Sequence, residues 1–176
     1  MLLPKVKVKR ILYATDLSES ARYALAYAVS LANTYRAELT ILHVLADDPK
    51  IDAGIVGYIG QGKWDEIKDR NVQEAQHALI GKRRDNVAIQ EALDEFCKTM
   101  QDDIGEQHLV MDETLVLRGN PVDQIVRVAE EKDCDLIVMG SYGHTGLAGA
   151  IMGGTAQRVL RRSKKPVMVV HLREEK

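Results

Sequence analysis

The chain has 176 residues, of which 45% are hydrophobic and 28% charged, a mixture typical of one soluble globular domain. Its net charge of −2 gives no field that would attract nucleic acid or an anionic membrane, and its aromatic content of 5% is too low for a base-stacking surface. Cys97 and Cys134 belong to no CxxC motif, and no apolar run approaches the ~18 residues of a membrane span. Because the N-terminus also lacks a signal-peptide pattern, we expect a cytoplasmic protein.

The first part of the chain alternates strand and helix patterns. A short buried strand is predicted at 9–14. Ser18 is the expected N-cap of a helix that runs to about Tyr35, since apolar residues recur at helical spacing behind it. Residues 38–45 are apolar almost throughout, which indicates a strand buried on both faces of a parallel sheet.

The middle of the chain, at about 47–105, is predicted to be a loop followed by a helical insertion. Its glycines predict a loop as far as residue 62, and apolar residues at 55–59 are expected to pack on a partner or on the mouth of a site. Charged helical sequence follows, with a break near Gly81. The predicted buried stripe of the second helical piece consists of Val87, Leu93, Phe96, Cys97, Met100 and Ile104.

Three more strands and two helices are predicted in the last part of the chain. The strands are expected at 113–117, 135–139 and 165–171, one helix is expected to begin at Pro121, and another is expected at about 155–162. Asn120-Pro121 is a helix-start signal, with Asn as N-cap and Pro at the first helical position. The apolar face of that helix is predicted to comprise Val122, Ile125, Val126 and Ala129. This alternation predicts a single α/β domain over residues 1–176, doubly wound, with a five-stranded, mainly parallel sheet and helices on both faces.

The stretch from Gly140 to Thr155 carries most of the functional information. It is rich in glycine and lies between a predicted strand and a predicted helix. Free backbone N–H groups, little side-chain bulk and a positive helix end all suit a phosphate. The stretch contains neither a P-loop nor a G-x-G-x-x-G fingerprint. We therefore predict a nucleotide or phosphate site of another type.

Three strand ends should contribute to that site, because ligands of such sheets bind beyond the carboxyl ends of strands, where the strand order reverses. Asp16 follows the first strand and offers acceptors for a sugar hydroxyl or an exocyclic amine. Val44 and Met139, at the ends of two other strands, offer apolar walls for a base.

The motif Gly140-x2-Gly143-x9-Gly153 resembles that of the universal stress protein family. Three further blocks are similar to the same family, namely Ile11-Leu-Tyr-Ala-Thr-Asp-Leu-Ser-Glu-Ser-Ala21, His43-Val44 and Gly119-Asn-Pro121. The likeness covers roughly residues 7–46 and 107–172. It implies an adenine nucleotide alpha hydrolase-like fold and a ligand-responsive stress regulator that binds ATP, or ADP or AMP, with Mg or Mn carried by the phosphates.

The resemblance to the ATP-binding branch of the family also implies a set of binding residues. Asp16 would contact the adenosine, strand-end residues would line the base and ribose, and the glycine loop and following helix would hold the phosphates. These residues are Ala14, Thr15, Asp16, Val44, Met139, Gly140, Gly143, His144, Gly153, Gly154 and Thr155.

One position departs from the family pattern. The family usually has Ser or Thr directly after the last motif glycine, whereas this chain has Gly154, with Thr155 one place later. Loss of one hydrogen bond to a charged group costs about 1.5–3 kcal/mol, or roughly tenfold to 100-fold in affinity. The resemblance also implies a homodimer that forms through strand 166–171. The alternative hypothesis is therefore a homodimeric interaction module of the same family that binds no nucleotide.

Catalytic and metal sites are not expected. No Ser-His-Asp or Cys-His arrangement can be assembled by spacing, and the five histidines show no metal-ligand pattern, so slow ATP hydrolysis is the most that we expect. Two alternative interpretations stay open: Asp16 as a cap of the first helix, and His43 as a core histidine. A receiver-type phospho-acceptor role for Asp16 lacks the acidic pair that it needs, and an adenylyl transferase lacks its His-x-Gly-His signature.

Overall fold

The computed structural model describes residues 5–45, 57, 59–67, 87, 89, 91–95, 110–142 and 152–171. The elements follow the predicted order: β1 Arg10–Thr15, α1 Glu19–Tyr35, β2 Glu38–Leu45, β3 Val110–Arg118, α2 Pro121–Glu131, β4 Leu136–Gly140, α3 Gly154–Arg162 and β5 Val167–Val170. Helical residues at 61–67 and 91–95 lie between β2 and β3.

The five strands form one sheet in the order β3-β2-β1-β4-β5, and every neighbouring pair is parallel. The chain moves outward from β1 through β2 to β3, then returns to place β4 on the other side of β1. The strand order therefore reverses between β1 and β4, and β5 forms one edge. The predicted doubly wound α/β fold is confirmed.

Helices cover both faces of the sheet. On one face α1 buries alanines and Leu25 against strand residues such as Tyr13 and Val138. On the other face α2 and α3 bury residues such as Ile125 and Val159 against Leu12 and its neighbours. Side chains alternate between the faces along each strand, which explains why the strands are apolar almost throughout.

Local signals set the helix starts as predicted. The Ser18 hydroxyl accepts a hydrogen bond from the Ala21 N–H at 3.2 Å and caps α1. The Asn120 side chain accepts from the Val122 N–H at 3.0 Å, and Pro121 occupies the first turn of α2. Both arrangements satisfy N–H groups that have no acceptor within the helix. The apolar face of α2 differs in one place from its prediction, because Val128 is buried and Val126 is only half-buried.

The helical residues between β2 and β3 pack onto the α1 face of the sheet. Trp64 and Ile67 join Ile89 and Leu93 in a cluster that covers Leu45. Residues 57, 59, 61 and 62, predicted as loop, are helical, because burial of Trp64 and Ile67 outweighs the turn preference of the nearby glycines.

The predicted stripe of the second helical piece is partly wrong. Leu93 is buried as predicted, but Val87 is 43% exposed and Ile89, two residues later, is 2% exposed. The other predicted stripe residues, at 96, 97, 100 and 104, lie outside the described residues. Within the described part of the chain, no helix is long and apolar enough to cross a membrane, and the cytoplasmic location stays a prediction.

Candidate functional site

The three predicted wall residues lie together at the carboxyl end of the sheet. Ala14 on β1 is paired with Met139 on β4, across the point where the strand order reverses. Both are buried, and Val44 on β2 packs against the same cluster, on the face covered by α2 and α3. Met152 and Ala156, at the start of α3, belong to this cluster as well. The cluster forms an apolar floor at the carboxyl ends of β1, β2 and β4, next to the start of α3.

The turn between β1 and α1 is held by its own polar side chains. The Thr15 hydroxyl accepts from the Leu17 N–H at 3.0 Å, and the Asp16 carboxylate accepts from the Ser18 N–H at 3.1 Å. Leu17 lies in the left-handed region, with φ 64°. Asp16 therefore supports the turn ahead of α1, as its capping interpretation predicts, and this contact also fixes where its half-buried carboxylate lies.

His43 connects the ends of β1 and β2. Its Nδ1 lies 2.9 Å from the carbonyl oxygen of Thr15, and the side chain is buried. Because a carbonyl oxygen can only accept, Nδ1 carries the proton in this contact. His43 is thus a core histidine whose ring holds the residue just before Asp16.

The first turn of α1 is hydrogen-bonded to the residues that follow β4. The Ser18 hydroxyl donates to the Tyr142 carbonyl at 3.3 Å, and the Tyr142 N–H donates to the Ser20 hydroxyl at 3.4 Å. A Cβ atom at Gly140 would lie 2.7 Å from Ser20 Oγ and 2.8 Å from the Ser20 carbonyl carbon. Gly140 is therefore required for the close approach of α1. Ser20 was not among the predicted site residues, and its place near the start of a predicted helix was its only signal in the sequence.

The start of α3 is an open helix N-terminus. Gly153 is its N-cap and offers no side-chain hydrogen bond, and the first turn contains no acidic residue, whereas Arg161 and Arg162 occupy the last turn. Backbone N–H groups of the first turn have no acceptor within a helix, and they carry the positive end of its dipole.

Two of the predicted phosphate-site residues lie in that first turn. Gly154 is exposed and Thr155 half-buried. The Arg158 side chain donates to the Gly154 carbonyl at 2.9 Å, which brings a positive charge close to this turn. Gly143 and His144, also predicted for the site, lie outside the described residues.

Ser141 connects β4 to this helix terminus and was not among the predicted site residues. Its carbonyl accepts from the Gly153 N–H at 2.7 Å, and its N–H donates to the Val170 carbonyl at 2.8 Å. The side chain is 0% exposed, yet its hydroxyl has no hydrogen-bond partner in the part of the chain that the structure describes. A small polar residue next to the first motif glycine was the only signal in the sequence.

Ionisable groups with shifted pKa values lie at the other end of the sheet, as far as the described residues go. The hydrogen bond from Lys132 lowers the pKa of Asp112, and the hydrogen bonds to Glu113 and Asp112 raise the pKa of Lys132. Burial raises the pKa of the Cys134 thiol. No group of His, Cys, Asp and Glu within the described residues could hold a metal ion. The carboxyl end of the sheet, by contrast, presents the N–H groups at the start of α3, the Ser141 hydroxyl and the apolar floor. These groups suit an anion attached to an apolar body.

Sequence comparisons agree with this architecture. Residues 7–171 match the universal stress protein family. The chain is 32% identical over 162 residues to universal stress protein MJ0531 of Methanocaldococcus jannaschii, which covers 92% of this chain and 81% of that protein. It is 30% identical over 175 residues to universal stress protein MJ0577 of the same organism, which covers 94% and 96% of the two chains.

Structural comparisons give the same relationship. The solved structure of MJ0577 superposes with a TM-score of 0.58 at 27% identity and covers 97% of this chain and all (100%) of that one. A universal stress protein solved in complex with cAMP superposes with a TM-score of 0.56 at 23% identity, covering 94% of this chain and 98% of that one. The second likeness shows the shared fold.

Proposed function

The chain belongs to the universal stress protein family, and on that premise we propose that it binds an adenine nucleotide where β1 and β4 end. The observation that carries the proposal is the open N-terminus of α3 beside the reversal of strand order. An uncapped helix N-terminus favours an anionic group, and parallel α/β sheets bind ligands at this point.

Each part of a nucleotide meets matching chemistry in this arrangement. The base lies against the apolar residues at the ends of β1, β2 and β4, namely Ala14, Val44 and Met139. The ribose is directed toward the carboxylate of Asp16, whose position is fixed by the turn before α1. The phosphates lie at the first turn of α3, with Gly143 and His144 contributing from the connection before it. A divalent cation, Mg or Mn, enters with the phosphates.

The expected output is regulation by ligand occupancy. The two sides of the proposed pocket are already connected, since α1 and the residues after β4 share hydrogen bonds through Ser18 and Ser20. A nucleotide that contacts both sides stabilises the arrangement in which they are joined, and so shifts the population toward it. We assign no catalytic residue, and hydrolysis of bound ATP is expected to be slow at most.

The first experiment is to denature freshly purified protein and identify released nucleotides by chromatography. Calorimetric titration of the emptied protein with ATP, ADP, AMP and cAMP in the presence of magnesium then gives the preferred phosphate number. A stoichiometric adenine nucleotide, or saturable heat from one of these ligands, supports the proposal. No released nucleotide and no heat of binding with any of the four contradicts it.

Asp16 provides the sharpest variant for this test. Asp16→Asn retains an oxygen that accepts from the Ser18 N–H, so the turn is kept, but it removes the charge and one acceptor. We expect about a tenfold to 100-fold loss of nucleotide affinity with unchanged unfolding. Equal affinity in the two proteins would remove Asp16 from the site.

A second candidate function is a homodimeric interaction module that binds no nucleotide. Two observations favour it: Gly154 lacks the hydroxyl usual for the family, and β5 is an edge strand. The Pro166 carbonyl accepts from Ile137 on β4 and the Val170 carbonyl accepts from Ser141 just after β4. By the alternation of a parallel ladder, the N–H groups of Val167 and Val169 therefore point away from the sheet. A second copy could pair with them.

The edge can be tested without disturbing the inner ladder. Val169→Pro removes an outward N–H, whereas Val169→Ala shortens the side chain and keeps it. We expect a dimer by light scattering for the parent and for Val169→Ala, and a monomer for Val169→Pro. Dimers in all three proteins would exclude pairing through β5.

A further inference from the structure

We infer that the Ser141 hydroxyl is a phosphate ligand of this protein, donating a hydrogen bond to a phosphate oxygen held at the N-terminus of α3. The inference rests on the nucleotide binding proposed above and adds a residue to it. Its basis is a side chain that is 0% exposed, with a hydroxyl that finds no partner within the described residues. Buried hydroxyls in folded proteins nearly always have a hydrogen-bond partner.

The position of Ser141 brings it to the first turn of α3. Its carbonyl accepts from the N–H of Gly153, which is the N-cap of that helix, at 2.7 Å. The backbone of Ser141 is thus in direct contact with the point where the unbonded N–H groups begin. These two observations, an uncapped helix terminus and an unpartnered hydroxyl, are independent of each other.

The direction of the Ser141 side chain follows from its neighbour. A Cβ atom at Gly140 would point at Ser20 and Ala21 of α1. The ladder with β5 continues to Ser141, whose N–H donates to the Val170 carbonyl at 2.8 Å. Because side chains alternate along an extended chain, the Ser141 side chain points to the opposite face, where α3 begins.

The Ser141 hydroxyl can replace the hydroxyl that Gly154 lacks. The usual family residue would supply a hydroxyl from the first turn of α3, and this chain has none at that position. A hydroxyl from Ser141 approaches the same terminus from the strand side. One donor to the phosphates is then retained, although it comes from a different element.

The test compares parent and Ser141→Ala with four probes: adenosine, AMP, ADP and ATP, the last three with magnesium. We expect Ser141→Ala to bind the three phosphorylated probes about tenfold to 100-fold more weakly, and adenosine as well as the parent. In the absence of ligand the variant should melt at the same temperature as the parent or higher. The Ser141 hydroxyl makes no hydrogen bond to the described residues, so its removal breaks none of theirs. A hydroxyl that matters only for folding gives the opposite result, a lower melting temperature with unchanged affinities.

Ser163→Ala is the matched control. The Ser163 hydroxyl donates to the Lys165 carbonyl at 2.9 Å and accepts from the Lys165 N–H at 3.0 Å, at the far end of α3. This variant should melt at a lower temperature and bind all four probes like the parent. Ser141→Cys, nearly the same size with a weak donor, should fall between parent and Ser141→Ala in affinity for the phosphorylated probes.

The outcomes separate this inference from the proposed function. If the parent binds none of the probes, the nucleotide proposal fails and the inference fails with it. If the parent binds ATP, ADP or AMP and Ser141→Ala binds them equally well, the proposed function stands and the inference is wrong. Equal weakening for adenosine and for the phosphorylated probes also overturns it, because the effect then does not reside in the phosphates.

Discussion

At the amino end of the sheet the loops are closed by polar contacts within the protein, whereas at the carboxyl end the described residues include a helix start with no side-chain cap and a buried hydroxyl with no partner among them. The Asp135 carboxylate, before β4, accepts from the backbone N–H groups of Lys9 and Arg10 at 2.7 and 3.0 Å. The Arg10 side chain donates to the Lys132 carbonyl at 2.7 Å. Backbone and side-chain groups from neighbouring connections thus satisfy one another.

Ion pairs add to this closure at the amino end. Lys132 pairs with Asp112 and Glu113 on β3, and Lys165 pairs with Asp133 at 2.8 Å. At the carboxyl end, α3 begins without a side-chain cap and the Ser141 hydroxyl is buried without a partner in the described part of the chain. The polar groups at the amino end satisfy one another, whereas the start of α3 and Ser141 present hydrogen-bond donors with no partner among the described residues. A ligand at the carboxyl end could accept from those donors.

The largest expected effect concerns a glycine at the carboxyl end. Gly140→Ala places a Cβ atom 2.8–2.9 Å from backbone atoms of Ser20 and Ala21, which cannot move without shifting α1. We expect a loss of about 3 kcal/mol in the free energy of unfolding, measured with urea.

The matched control for that variant is Gly154→Ala. There a Cβ atom meets only the end of the Arg158 side chain, at 3.3 Å. Stability should stay the same or rise by up to about 1 kcal/mol, because alanine restricts the unfolded chain. Similar losses in both variants would mean that the α1 contact is not what requires glycine at position 140.

The second-largest effect is expected from removing a polar contact at the amino end of the sheet. Asp135→Ala removes the acceptor of two backbone N–H groups, and we expect a loss of about 2 kcal/mol in the free energy of unfolding. Nucleotide affinity should not change, since the site lies at the opposite end. Glu131→Ala, which removes only an exposed pair with Arg127, should stay within about 0.5 kcal/mol of the parent. A change in affinity with Asp135→Ala would show that the two ends are coupled.

A smaller effect is expected from adding a hydroxyl at the N-terminus of α3, at the carboxyl end of the sheet. Gly154→Ser restores the hydroxyl that the family usually has, at a position that tolerates a Cβ atom. ATP affinity should rise about tenfold, equivalent to about 1.4 kcal/mol, by calorimetric titration. Gly154→Ala separates this gain from a backbone effect, because it adds the Cβ without the hydroxyl. Equal affinities in these two variants would show that the added hydroxyl does not reach the ligand.

The smallest effect is the pH dependence of the stability that the Lys132–Asp112 ion pair gives to the amino end of the sheet. The hydrogen bond from Lys132 lowers the folded pKa of Asp112 below its ordinary value of 3.8. This pair therefore stabilises the protein above that value, and the contribution is lost as the pH falls through the folded pKa. Lys132→Met, which keeps the apolar stem, should lose at most about 1 kcal/mol at neutral pH, because both side chains are partly exposed.

That difference in unfolding free energy between parent and Lys132→Met should shrink as the pH falls through the lowered folded pKa of Asp112, and disappear once that carboxylate is protonated. Lys164→Met, at an exposed pair with Glu130, provides the control and should match the parent at every pH. A gap between parent and Lys132→Met that persists in acid would mean that the stabilisation comes from packing and not from the ion pair.

Elements with local signals could be predicted from the sequence, and those decided by packing could not. Ser18 and Asn120 cap their helices as predicted, because a cap is a contact between residues two or three positions apart. Residues 61 and 62 are helical against their turn preference, because residues distant in sequence bury Trp64 and Ile67. The helical phase near Val87 was wrong for the same reason.

The candidate site shows the same division. Ala14, Val44 and Met139 were predicted to converge, because strand ends meet at one edge of a parallel sheet, and they lie in one cluster. The role of Gly140 in the packing of α1 and the unpartnered hydroxyl of Ser141 depend on which face of β4 each residue occupies relative to α1 and α3. Those relationships exist only in the folded chain. Gly143 and His144 remain predictions.

The contact between Ser18 and Tyr142 joins residues 124 positions apart, and this separation has a consequence for how the protein responds to its surroundings. Neither half of the proposed pocket is complete until β1 and β4 have paired, so a nucleotide can bind only the folded chain. Selective binding to the folded state raises its apparent stability, by about 2.7 kcal/mol when the ligand is at 100 times its Kd. Resistance of the protein to heat and proteolysis would then increase with the nucleotide concentration around it. The protein would persist longer where nucleotide is abundant and be degraded faster where it is scarce.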